Sequence, residues 1–163
     1  MKAGMFVAAK KFVGSVFNSI HTHFKREEER EMTIGKLDEE LERMNHILDG
    51  ASKGSIVLFN ESFASTNAIE QSRIAGGIIS GLVENGVRVI FVTHIYELAS
   101  QFLDRYSGDV RFLVAERLDT GERTFRIVEG VPTATSYADD LFGKIFESGS
   151  KKVTTLSKPG DPD

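Results

Sequence analysis

Glu61 and His94 are the residues of this sequence whose types and placement suit proton chemistry. Each closes a short apolar run: Ser55-Ile56-Val57-Leu58-Phe59-Asn60-Glu61, and Val87-Arg88-Val89-Ile90-Phe91-Val92-Thr93-His94. An apolar run without polar alternation reads as a strand buried on both faces. Such strands belong to parallel sheets covered by helices, where ligands sit beyond the carboxyl ends of the strands. Both residues therefore fall where chemistry is usually done. An amide, Asn60, precedes Glu61, and the hydroxyl-bearing and amide residues Ser62, Ser65, Thr66 and Asn67 follow it. Taken alone, an acid after a strand is also the pattern of a loop or helix-cap carboxylate.

The elements around these residues follow from periodicity. Leu37, Leu41, Met44, Ile47, Leu48 and Ala51 recur at three- and four-residue steps, which predicts a helix from Lys36 with one apolar face, ended by Asp49-Gly50 and Lys53-Gly54. After the first strand, Asn67 can cap a helix, with Glu70 completing an amide variant of the capping box. Ala75, Ile78, Ile79, Leu82 and Val83 form its expected buried face, and Asn85-Gly86 stops it before the second strand. The result is a strand, helix, strand unit with a right-handed crossover. Residues 95–105 read as a further helix with Leu98, Phe102 and Leu103 inward. Residues 109–116 and 122–129 read as a hairpin turned at Asp119-Thr120-Gly121. Residues 1–24 suggest a helix end, a turn and a short strand. Residues 132–146 suggest a last helix, with Tyr137, Ala138, Leu141, Phe142 and Ile145 apolar at helical spacing.

Composition narrows the class. With 163 residues, 40% hydrophobic and 27% charged, the chain fits one soluble globular domain, and cytoplasm is the default compartment. No apolar run approaches the roughly 20 residues that span a bilayer, so no membrane partner is expected. The absence of cysteine excludes disulfides, thiol nucleophiles and thiolate metal sites. A net charge of −4 argues against a basic nucleic-acid binder. His21 and His23 alternate on the first short strand and face one side. Two such ligands are too few for a metal site, so they read as core or surface histidines.

A buried strand ending in two polar acceptors resembles the second nucleotide-binding motif of P-loop ATPases, where the terminal residue helps hold the Mg²⁺ water shell and the following Glu activates water. The longer pattern is more specific. Asn60-Glu61-Ser62-Phe63-Ala64-Ser65-Thr66-Asn67, then a helix, then Phe91-Val92-Thr93-His94-Ile95-Tyr96-Glu97-Leu98, resembles the ATPase domain of the MutS family of DNA mismatch-recognition proteins. In that family an Asp-Glu pair ends the strand, and Ala-Thr-His-Tyr-x-Glu-Leu follows about thirty residues on. Met5-Phe6-Val7-Ala8-Ala9 is similar to the family's Cys-Phe-Val-Pro-Ala, and Met44-Asn45-His46-Ile47-Leu48 to the segment leading into the metal strand.

The resemblance implies an α/β fold, P-loop NTPase-like of the ABC/MutS type. Its sheet is largely parallel and flanked by helices, and incomplete because the phosphate-loop strand is absent. Residues 1–146 would be the carboxyl-terminal part of such an ATPase domain, and residues 147–163 a disordered tail. Glu61 would be the catalytic carboxylate and His94 the histidine near the γ-phosphate. Ser65, Thr66 and Asn67 would form the loop facing the partner subunit of a homodimer. Gly35 and Lys36 would stand in the signature loop that reaches the other subunit's nucleotide. ATP and Mg²⁺ are the implied cofactors, with the metal held through water by Asn60 and Glu61. The complete protein would couple ATP binding and hydrolysis to engagement of mismatched or branched DNA, through regions not present in this chain.

Two departures qualify this. Asn60 replaces the family's acidic metal partner, keeping an acceptor oxygen but losing the charge. No Gly-x-x-x-x-Gly-Lys-[Ser/Thr] occurs, so nothing here cradles the β- and γ-phosphates. The isolated chain is therefore expected to be inactive as an ATPase. The alternative reading is a non-catalytic dimerisation or interaction module that has lost nucleotide hydrolysis.

Overall fold

Three parallel strands carry the residues of interest: β1 (Ile20–Phe24), β2 (Ile56–Asn60) and β3 (Arg88–Val92), ordered β1-β2-β3. The computed structural model describes residues 8–25, 35–105, 109–118 and 120–134. The chain divides into two compact units, Met1–Val110 and Arg111–Asp163. Expectations for residues 1–7, 26–34 and 135–163, the last helix and the tail among them, lie outside the described residues.

In the first unit, α1 (Lys36–Gly50) joins β1 to β2, α2 (Ala68–Glu84) joins β2 to β3, and α3 (Tyr96–Arg105) follows. The register pairs His23 with Phe59 and Phe59 with Phe91, so these three side chains share one face. With strands in sequence order, crossovers of one hand put α1 and α2 on a single face, and the contact of His23 with the Glu40 carbonyl of α1 identifies it as this one. Between them lies the core: Met44 and Ile47 from α1, Val57 and Phe59 from β2, Ala75, Ile79 and Leu82 from α2, all buried. Each large side chain among them stabilises the fold by about 1.5–3 kcal/mol through burial. The α/β class is as the sequence indicates.

The caps are those read from the sequence. The Asn67 side chain accepts hydrogen bonds from the backbone N–H of Ile69 and Glu70, which opens α2. Glu70 does not reach back to complete a capping box; it accepts instead from the Thr66 hydroxyl. Gly86, at φ 73°, turns the chain into β3.

Three expectations are corrected. β3 is not buried on both faces; Arg88, Ile90 and Val92 are exposed, and among the described residues β3 is an edge strand. The buried stripe of α1 is Glu40, Met44 and Ile47, whereas Leu41 and Leu48 are exposed. In α2, Val83 is likewise exposed, and Gln71, Ser72 and Gly76 are buried. The apolar periodicity located both faces but was about one position off their centres.

The other face of the sheet holds Ile20, Phe24, Ile90 and Val92, each about half exposed (45–53%). Exposed apolar side chains on one sheet face favour association. Sedimentation velocity of the 163-residue chain is expected to show a concentration-dependent shift to larger species, reduced by the double substitution Ile90→Lys, Val92→Lys. The second unit contains an antiparallel hairpin, β4 (Leu113–Arg117) and β5 (Arg123–Glu129), with Gly121 at φ 84° in the turn. The hairpin expectation is met.

Candidate functional site

β2 and β3 run parallel and in register, so their carboxyl ends lie side by side, with Asn60 paired to Val92. One more backbone bond, from Glu61 N–H to the Val92 carbonyl (3.0 Å), carries the pairing past the end of the strand. Beyond it, Glu61 Oε2 lies 2.7 Å from His94 Nδ1. The two expected site residues, 33 positions apart, thus share one hydrogen bond. A carboxylate only accepts, so His94 donates from Nδ1. That fixes the ring's orientation, and Nε2 bonds nothing among the described residues. The Glu61 side chain is 28% exposed and His94 72% exposed, so the pair sits at a rim open to a ligand. The other oxygen of Glu61 bonds nothing among the described residues, and so remains able to take a proton from water.

The backbone at this point is unusual. Glu61 has φ 50° and Phe63 φ 61°, the left-handed region that non-glycine residues rarely occupy. Such conformations cost about 1–3 kcal/mol each and persist only where the surroundings hold them. Here Phe63 and Ser62 are fully buried, and Gln71 Nε2 donates to the Ser62 carbonyl at 2.8 Å. The strand therefore ends in a rigid kink that directs Glu61 towards β3.

The remaining expected residues are placed as follows. Asn60 is exposed at the end of β2, and its side chain bonds nothing among the described residues. Ser65 donates to Glu40 Oε1 at 3.2 Å, Thr66 bonds Glu70, and Asn67 caps α2, so all three side chains have partners within the chain. Gly35 is the N-cap of α1 without a side-chain bond, and Lys36 is its exposed first residue. Glu40, one turn along the same helix, meets the loop after Glu61.

His23, expected as a core or surface histidine, is a core one, but its contacts and those of Glu40 carried no sequence signal. His23 is fully buried, with Nδ1 2.8 Å from Ser62 Oγ and Nε2 3.0 Å from the Glu40 carbonyl. Burial holds its pKa below the ordinary 6.5, and the Arg43 guanidinium nearby acts in the same direction. The ring is then neutral in the folded chain and free to protonate in the unfolded one. Its stabilising contribution is full above about pH 6.5 and falls as the pH drops below that value towards the lowered native pKa. Denaturant unfolding at pH 7.5 and 5.5 is expected to show this loss, limited to about 1.4 kcal/mol per pH unit. The slope is expected to shrink in His23→Asn; an unchanged slope would assign the loss to other groups.

Among the described residues no group of three His, Asp or Glu side chains is placed to hold a metal. Mg²⁺, however, commonly keeps its waters and takes one or two protein carboxylates plus substrate phosphates. Exposed Asn60 and partly exposed Glu61, adjacent at one strand end, fit that demand and do not fit a cage made by protein alone. Among the described residues no helix is long and apolar enough to cross a membrane.

Models of known protein families give no match to the chain. Individual relatives do. Endonuclease MutS2 of Clostridium botulinum is 29% identical over 132 residues, 81% of this chain and 17% of the relative. DNA mismatch repair protein MutS of Thermotoga neapolitana is 32% identical over 143 residues, 86% of this chain and 18% of the relative. Endonuclease MutS2 of Brevibacillus brevis is 30% identical over 121 residues, 72% of this chain and 15% of the relative. The chain thus spans less than a fifth of the length of these relatives. With this similarity over most of its own residues, the chain belongs to the MutS family of DNA repair proteins, of which it is a partial, α/β stretch.

Proposed function

We propose that this chain is the carboxyl-terminal portion of a MutS-like ATPase domain, and that in the longer protein it supplies the water-activating carboxylate and a phosphate-contacting histidine. The observation that carries this is the 2.7 Å bond between Glu61 and His94 at adjacent carboxyl strand ends. Glu61 takes the proton of an attacking water on its free oxygen while His94 holds the other. When its ring carries both protons, His94 would donate from Nε2 to the phosphate being transferred. Asn60 and Glu61 would hold Mg²⁺ through its waters, and the bound ion would supply charge neutralisation at the phosphates. The phosphate cradle itself comes from outside this sequence, since no glycine-rich lysine loop is present. ATP turnover would then switch a dimer between DNA-engaged states, with DNA held by other parts of the protein.

The test is calorimetric titration of Mg²⁺-ATP into the chain extended upstream by its phosphate loop, with phosphate release measured in parallel. Metal-dependent binding with turnover supports the proposal; absence of binding rejects it. Asn60 favours a second reading, an interaction module that has lost hydrolysis. The two separate at Asn60→Asp. If Asn60 occupies the metal position, the added charge lowers the Mg²⁺ concentration for half-maximal ATP binding by roughly 10- to 100-fold. A module without nucleotide chemistry shows no Mg²⁺-dependent change.

A further inference from the structure

The kink that brings Glu61 to His94 contains no glycine. Glu61 and Phe63 both hold positive φ, and Ser62 between them is wholly buried. Something outside the kink must hold it, and one side chain touches both residues that follow Glu61. His23, on the neighbouring strand β1, bonds Ser62 Oγ through Nδ1 at 2.8 Å and stacks on the Phe63 ring at 5.0 Å with an interplanar angle of 26°. The Ser62 hydroxyl also lies 2.6 Å from the carbonyl of His23, so this serine is tied twice to one residue.

His23 is itself fixed from behind. Nε2 lies 3.0 Å from the Glu40 carbonyl and 3.4 Å from the Arg43 guanidinium, both on α1. Ser62 Oγ is thus held by both the ring and the backbone of His23. The Phe59 ring, 5.9 Å away, closes the remaining side. α1 adds a further tie, since Glu40 Oε1 accepts from Ser65 two residues past Phe63.

We propose that His23 is the positioning residue of this site: anchored on α1, it clamps Ser62 and Phe63 and thereby holds Glu61 where it can bond His94. It touches neither reacting group and acts only through the loop. The proposal rests on the Glu61–His94 pair, but not on that pair hydrolysing ATP.

The histidine nitrogens report the pair directly. In the 163-residue chain at neutral pH, long-range proton–nitrogen NMR of His94 is expected to show Nδ1 as the protonated, bonded nitrogen. Ser62→Ala deletes a single oxygen from a closed site and leaves the core filled. It is expected to lower the Nδ1-protonated fraction of His94 at least twofold, as is His23→Asn, while Ser62→Thr, which keeps the hydroxyl, restores most of it. Ile79→Val, a core change away from the loop, controls for general loosening and leaves His94 unchanged. Unaltered His94 signals in folded Ser62→Ala, or an equal change in Ile79→Val, would overturn the assignment. A wild-type chain lacking the Nδ1 signature would instead remove the Glu61–His94 pair, and the clamp's purpose with it. Failure of ATP turnover in the extended protein would bear on neither result.

Discussion

Glu61→Gln, placed in the longer protein that supplies the phosphate loop, is expected to slow phosphate release by about 10²- to 10⁴-fold while ATP binding persists. The substitution separates basicity from geometry. Glutamine keeps the shape of glutamate, and its carbonyl oxygen can still accept from His94 Nδ1, the bond seen at 2.7 Å. What it loses is the capacity to take a proton from water. The kinked backbone at Glu61, φ 50°, is equally available to glutamine, so the loop is not expected to move. Single-turnover phosphate release, with nucleotide affinity measured on the same protein, checks this. A loss below about tenfold would mean that the carboxylate is structural.

Phe59→Ala is expected to cost about 3–5 kcal/mol of folding free energy. Phe59 is 1% exposed, stacks on Phe91 at 5.0 Å, and flanks the ring of His23. Its removal leaves a cavity between β1, β2 and β3 that the parallel sheet cannot close without shifting register. Against a typical total of about 5–15 kcal/mol, the loss brings the chain near unfolding. Ile90→Ala makes the contrast. Ile90 is 52% exposed on β3, so its truncation is expected to cost far less. Denaturant midpoints of the two variants measure the difference; equal losses would contradict the placement of the core on the His23–Phe59–Phe91 face.

The β2–α2–β3 unit was legible because its signals are local. The apolar run of β2, the Asn67 cap and the Gly86 turn each act within a few residues, and the structure uses all three. The meeting of Glu61 with His94 was legible for a topological reason, since parallel neighbours deliver their carboxyl ends to one rim. His23 was not. Its partners Glu40 and Ser62 are 17 and 39 positions away, and nothing local marks a buried strand histidine as different from a surface one. Glu40 was missed because a carboxylate counts against burial in any apolar pattern, yet here it accepts from Ser65. The positive φ of Phe63 was beyond reach too, because tertiary packing imposes it on a residue whose own preference opposes it.

The central claim is that Glu61 and His94 act as one unit. A double-mutant cycle with Glu61→Gln and His94→Ala, read as single-turnover phosphate release from the extended protein, tests it most directly. Coupled residues give a double variant whose rate departs from the product of the single effects by about fivefold or more. Single effects that multiply without coupling would show that the two residues, though bonded, do not share a function.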